Sequence, residues 1–541
     1  MRVRTVRDRL LGLLLLLIAP AVWAQSLQHR LDVRLDPASH GLQVEDVIDL
    51  PEGAPNRLVF TLHTGLNPRL TGEGAQLSRI DGPTSGPSGA PVETYRMTLE
   101  PGVRRITLAY AGDIYHPVRS SGEEYARSFS ASPGLIGPEG VFLGGATHWV
   151  PHFSELPFLG FEMTVHLPVG WRSVSQGKRL VGDQEGDEIR ETWQEQRPQE
   201  EIYLVAAAFT EYRRAGRDTD AMVLLREPDA ALAGRYLELT GRYIEMYRRL
   251  IGPYPYAKFA LVENFWETGY GMPSFTLLGP SVIRLPFIPY TSYPHEILHN
   301  WWGNSVYVDY GTGNWSEGLT SYLADHLLKE QRGSGAEYRR NTLQKYADYV
   351  GVHKDFPLTE FRGRHNSVTE AVGYGKTLMV FHMLRRQLGD QRFTKALRRF
   401  YTDNVFTVAD WSDVAKAFNT VSEPPLDAFF DQWINRPGAP ELRLRDVSVT
   451  KDDSGFRLRG VIEQSQASPA YALRVPIAVQ LEDRDKSLVQ EVSMTAREQS
   501  LDLALPARPL RLAVDPAFDL FRRLHREEIP PAISQALGGD R

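Results

Sequence analysis

The chain has 541 residues, too many for one ordinary core, and this length predicts about three domains. Hydrophobic residues at 42% and charged residues at 24% are globular proportions, and a net charge of -6 leaves no basic footprint for nucleic acid. The cysteine count is zero, which excludes a disulfide framework, Cys-ligated zinc, iron–sulfur clusters and a lipid-bearing cysteine, so any metal must be held by His, Asp or Glu.

Residues 1–24 read as a signal peptide. "MRVRTVRDRL" carries Arg2, Arg4, Arg7 and Arg9, "LLGLLLLLIAPAV" is apolar and short, and Val22 and Ala24 offer a cleavage site after Ala24. The alternative is a membrane anchor, but the run is shorter than the roughly 20 residues a span needs and Pro20 interrupts it. No later segment is long and apolar enough to span, so no stable membrane span is expected after cleavage. The expected location is the periplasm, with outright secretion as the alternative.

From residue 25 to 214 the runs are strand-like. "LVFTLHTGL", "RRITLAYAGDIY" and "EIYLVAAAFTEYR" alternate or stay apolar between Gly, Pro, Asp and Ser clusters, which predicts a large β-domain. Leu232, Tyr236, Leu239, Tyr243, Met246 and Leu250 then recur at helical spacing, ended by "GPYPY". A short strand-like "KFALVENF" follows, and helical stripes dominate as far as "LDAFFDQWINRPG". After Pro440 six strand-like runs return, which suggests a small β-sandwich. The expected division is 25–214, 215–440 and 441–541, the last with a mixed tail after Asp515.

"SYPHEILHNWWGNS" (292–305) contains H-E-x-x-H: His295, Glu296 and His299. On a helix, positions i and i+4 share a face, so both histidines can address one metal, while Glu296 sits beside it and can take a proton from water. Thr291 or Ser292 can cap that helix, with Pro294 tolerated in its first turn. A catalytic zinc needs a third ligand. "GNWSEGLTSYLADHLLKE" supplies Glu317 in the first turn of the next helix, with Ser316 as a possible cap. Asp325, a turn or more farther on, fits worse as a ligand.

H-E-x-x-H followed by a spacer and W-x-E-G resembles the gluzincin aminopeptidases, the aminopeptidase-N-like zinc peptidases. "GPYPYAKFALV", "HNWWGNSV" and "FFDQWINRPGAPEL" resemble family segments in the same order. The resemblance implies a multidomain α+β protein: a large N-terminal β-domain, a thermolysin-like, mostly helical catalytic domain and a small C-terminal β-sandwich. It implies one Zn2+ per chain held by His295, His299 and Glu317, with Glu296 as general base. Tyr374, in "AVGYGKTLMVFHML", matches the tyrosine that donates to the tetrahedral oxyanion.

The chain departs from the family in three places. Seventeen residues separate His299 from Glu317 where the family has eighteen, and the turn-rich "DYGTGN" is where a deletion would be absorbed. The family's G-x-M-E-N strand holds the substrate's amino group by its glutamate. Here "ETGYGMPSFTLLG" keeps Gly271 and Met272, whose backbone could pair with a peptide as an added strand, but puts Pro273 in the glutamate's place. Glu263, Glu267 and Glu370 are the nearby acids that could stand in. Finally, the long helical C-terminal domain of many relatives is replaced by strand-like residues, which implies a more open cleft. The expected activity is release of N-terminal residues from peptide substrates. The alternatives are an endopeptidase on the same scaffold and a zinc-stabilised envelope binding protein without turnover.

Overall fold

A computed structural model of the chain describes residues 26–529 apart from 87–88, 121–129, 187, 352–353, 453–454 and 483. The signal-peptide segment lies outside the described residues. Two compact units are present. One holds the described residues of 26–246 and Tyr254–Pro289; the other holds Tyr247–Pro253 and the described residues from Tyr290 onward.

The first unit is built on strands, as its alternating runs require. Its largest sheet has seven strands, with Leu27–Asp36 at the centre, parallel to Leu159–Pro168 and antiparallel to Gly41–Asp49. The burial of Leu27–Asp36 alternates until its end, so one face feeds a core that includes Phe60, Trp193 and Phe275. Helix Ala230–Leu250 follows, burying Leu232, Tyr236, Leu239 and Tyr243 on the stripe read from the sequence.

A five-stranded sheet closes this unit, in the order Thr210–Arg214, Asp220–Leu225, Lys258–Glu263, Phe275–Leu278 and Gly269–Met272. Gly271 and Met272 therefore lie on an edge strand, opposite Thr276 and Phe275. Pro273 and Ser274 form the two-residue corner between these strands. Proline first and a left-handed second residue (Ser274, φ 67°) is the pattern of a type II turn. The corner is fixed from below: buried Lys258 donates to Ser274 O at 3.1 Å, Ser274 Oγ at 2.7 Å and Ser175 O at 2.7 Å.

The second unit carries the helices. Ser292–Leu298 is followed by strand Val306–Val308, then by Ser316–Ser321, a π turn over Tyr322–His326 and Leu327–Gln331 as one continuous helix. Helix Gly335–Tyr349 has no clear apolar stripe in the sequence. Its inward residues are Gly335, Arg339, Leu343 and Tyr346, so an arginine breaks the apolar period. A second π turn, Glu370–Lys376, leads into Thr377–Leu388, and Asp390–Asn404 and Trp411–Asn419 follow.

The six runs after Pro440 are six strands in two three-stranded sheets, Leu442–Asp452 with Gly455–Gln464 and Glu498–Leu505, and Leu488–Met494 with Leu473–Leu481 and Pro509–Val514. Leu458 and Leu505 of the first meet Val479 and Leu481 of the second in one buried cluster. Among the described residues no helix is long and apolar enough to cross a membrane.

Candidate metal centre

The H-E-x-x-H segment is helical over Ser292–Leu298, with His299 at its C-terminal cap. Thr291 stands at the N-cap position, but no side-chain cap bond is formed there. Trp301 and Trp302, just beyond, are fully buried. Trp301 Nε1 donates to Gly252 O at 3.2 Å, and Trp302 stacks on Phe400 at 5.6 Å. Trp315, at the start of the next helix, meets Phe400 edge-on at 4.9 Å. One aromatic side chain of helix Asp390–Asn404 thus anchors both segments that carry the site.

Glu317 enters in the first turn of its helix, as expected, but Ser316 is not the cap. Ser316 is already helical, and the side chain of Asn314 accepts from Ser316 N at 3.1 Å and Glu317 N at 3.4 Å. Asn314 is tied in turn to Phe361 O and Arg362 O through its backbone N and Nδ2. A spacer of seventeen residues is therefore enough to bring Glu317 to the histidines.

The ligand atoms of His295, His299 and Glu317 lie within 4.8 Å of one another. The two Nε2 atoms are 3.1 Å apart, and Glu317 Oε2 lies 3.6 Å from His295 Nε2 and 3.4 Å from His299 Nε2. The outer partners set the ring orientation. His299 Nδ1 is 2.9 Å from Trp302 O, a group that only accepts, so this nitrogen donates. His295 Nδ1 is 3.2 Å from Asp325 Oδ2 and donates to that carboxylate. Both Nε2 lone pairs then face each other and the carboxylate of Glu317. Such a donor set needs positive charge at its centre, which suits a cation held by two imidazoles and a carboxylate.

The electrostatics agree. Burial opposes the charged form of both rings, but Asp325 and Glu317 outweigh it at His295, and Glu317 does so at His299, so both are pushed up. Burial also opposes ionisation of Glu317, yet His299 and the bonds from both rings hold it below the usual carboxylate range. A metal bound here would compete with protons for the two Nε2 nitrogens.

Glu296 is half-buried on the same helix, and burial pushes its carboxyl up against the pull of His295 and His299. Tyr374 lies in the π turn Glu370–Lys376. Its phenol is pushed up well beyond its ordinary range by burial and by the nearby carboxylate of Glu317, so it keeps its proton. Two glycines permit this approach. A methyl added at Gly318 would lie 2.2 Å from Thr377 Cβ, and one at Gly373 would lie 2.1 Å from the Phe361 ring, which packs on Tyr374.

Asp325 is the residue that sequence reasoning undervalued. It is no ligand but the partner that orients His295. In a regular helix it would sit about 80° around the axis from Glu317, eight residues earlier; the extra residue of a π turn brings it back to within roughly 20°. Gly271 and Met272 belong to the other unit, on the edge strand described above. Of the acids that could stand in for the missing glutamate, Glu263 is engaged by Arg284 and by Arg226 N. Glu267 accepts from Ser281 N at 2.9 Å. Glu370 pairs with Lys345 at 2.7 Å and Arg364 at 2.6 Å, one oxygen each.

Residues 292–433 match the Peptidase family M1 domain. Aminopeptidase A of Gloydius brevicauda is 26% identical over 208 residues, 36% of this chain and 21% of that protein. Glutamyl aminopeptidase of Sus scrofa is 25% identical over 162 residues, 29% of this chain and 17% of its own length. Aminopeptidase N of Lactococcus lactis subsp. lactis is 25% identical over 169 residues, 29% of this chain and 19% of its own length. The chain spans about a fifth of the length of these curated relatives. The matched domain contains His295, Glu296, His299, Glu317, Asp325 and Tyr374.

Proposed function

We propose that this chain, an aminopeptidase-N-like gluzincin through its Peptidase family M1 domain, hydrolyses peptide bonds with one zinc ion and releases N-terminal residues from peptides. The observation that carries the reading is the convergence of His295 Nε2, His299 Nε2 and Glu317 Oε2 beside Glu296 and Tyr374. Zinc, when bound there, supplies a Lewis acid that makes water a stronger acid and polarises a carbonyl.

The residues divide the remaining work. Glu296 takes the proton of the attacking water and later delivers it to the leaving amine. Tyr374 keeps its hydroxyl proton and donates it as a hydrogen bond to the carbonyl oxygen as charge develops. Asp325 and Trp302 O hold the two rings so that Nε2, rather than Nδ1, faces the metal. The edge strand at Gly271 and Met272 offers unpaired backbone to an extended peptide. The basic and apolar segment at residues 1–24 supports export to the periplasm, and the buried cluster shared by the two C-terminal sheets supports a small β-sandwich.

A second reading, an endopeptidase that does not read a free amine, is favoured by the Pro273–Ser274 turn where the amine-binding glutamate is expected. It is favoured too by Glu263 and Glu370, both of whose oxygens are already engaged. One assay separates the two. A free-amine peptide and its N-acetylated twin are offered to zinc-loaded protein, with and without chelator. Chelator-sensitive cleavage of the free form alone supports an aminopeptidase, and equal cleavage of both supports the endopeptidase. Glu296→Gln protein should retain zinc and lose about 10²- to 10⁴-fold in turnover; if it cleaves at the parent rate, the mechanism is wrong.

A further inference from the structure

The π turn that aims Asp325 at His295 needs an external restraint. π geometry is rarer than α geometry, and relaxation to α would swing Asp325 about 100° around the axis, away from the histidine. The restraint comes from the far end of the chain. After the last strand the backbone turns at Asp515, which accepts from Asp519 N at 2.7 Å and pairs with Arg522 at 2.9 Å. Phe521 then packs edge-on against Tyr346 at 4.8 Å and meets Trp433 at 6.1 Å. This places the buried carboxylate of Asp519 among the helices of the metal centre.

Asp519 reaches both ends of the π turn. On one side His382 Nε2 donates to Asp519 Oδ1 at 2.9 Å, which leaves His382 Nδ1 to accept from the hydroxyl of Tyr322 at 3.3 Å. Tyr322 is the first residue of the turn. On the other side Arg339 Nη2 pairs with Asp519 Oδ1 at 3.0 Å, while Nη1 donates to His326 Nε2 at 2.8 Å. His326 is the last residue of the turn and the neighbour of Asp325. Arg339 is itself oriented by Phe518 O at 3.1 Å and Ala517 O at 2.9 Å. An ion pair that only fastened a tail would have no need to converge on these two residues.

We propose that Asp519 is a positioning residue of the metal centre: through His382–Tyr322 and Arg339–His326 it holds the π turn whose Asp325 fixes the ring of His295. This rests on the metal reading above, and the test separates the two. Zinc affinity of the full chain is measured by chelator competition in a double-mutant cycle. Asp325→Asn and Asp519→Asn each weaken zinc binding about 10-fold or more. The double variant binds no more weakly than Asp325→Asn alone, because the two changes act through one contact. Tyr322→Phe removes one hydroxyl, keeps the ring packing and shows the same loss in smaller measure, so the test survives if Asp519→Asn does not fold. Losses that multiply in the double variant overturn the assignment. A parent protein that binds no zinc overturns it together with the metal reading, whereas a zinc-binding parent whose Asp519→Asn and Tyr322→Phe variants bind equally well overturns the role of Asp519 alone.

Discussion

Gly318→Ala would perturb the site without touching a ligand. The new Cβ would lie 2.2 Å from Thr377 Cβ and 3.1 Å from Gly373 O. Ordinary contact begins near 3.4 Å, so the helix of Glu317 and the segment of Tyr374 must part by about 1.2 Å (3.4 less 2.2). Overpacking of this kind costs about 1–3 kcal/mol of stability, and a displacement of about 1 Å at a catalytic group costs about 100-fold in rate. Tyr374 lies near the carboxylate of Glu317 and packs on Phe361, so the shift displaces its hydroxyl relative to the metal ligands. Two measurements check this: kcat on a free-amine peptide and thermal unfolding of the zinc-loaded protein. Thr377→Gly in the same chain removes the opposing Cβ and should recover most of the lost kcat. If Gly318→Ala turns over at the parent rate with an unchanged melting temperature, the close approach of these helices does not set the geometry.

Three further outcomes are expected. Tyr374→Phe should retain zinc and KM while kcat falls about 10²- to 10³-fold; a raised KM with kcat unchanged would make Tyr374 a binding residue. Trp302→Ala should cost about 3–5 kcal/mol in urea unfolding, since a fully buried ring stacked on Phe400 is lost; a loss below 1 kcal/mol would contradict that packing. His63 is buried against His116, and burial followed by the charge of His116 lowers its pKa to about 4. The unfolded ring takes up its proton near pH 6.5 and the folded one does not. Stability present above pH 6.5 is thus lost as pH falls towards 4, by up to about 3 kcal/mol. His63→Gln should flatten that acid loss, and an unchanged slope between pH 7 and 4.5 would refute the assignment.

The strand-rich first unit, the helical stretch and the return of strands after Pro440 were legible because apolar period and turn residues are local signals. His295 and His299 were legible through helical spacing and Glu317 through its place at the start of the next helix, and the structure brings their ligand atoms together. Asp325 was not, because its direction depends on one extra residue in a π turn, and no periodicity in "SYLADHLLKE" marks it. That turn is held by Asp519, almost two hundred residues on, and no local pattern in the sequence pairs residues so far apart. Helix Gly335–Tyr349 escaped for the related reason that Arg339, buried to meet those distant groups, interrupts its stripe. Ser316 looked like a cap by type, but the bond that Asn314 makes is settled by where the preceding loop docks on Phe361 and Arg362.

Counting zinc in the purified full chain, alongside Glu317→Ala and His299→Ala, tests the metal centre itself. One zinc per parent chain is expected, with loss of most of it in each variant and peptide hydrolysis that disappears with chelation and returns with added zinc. A parent chain that stays zinc-free after equilibration with the metal, or one that hydrolyses peptides equally well in chelator, would contradict it.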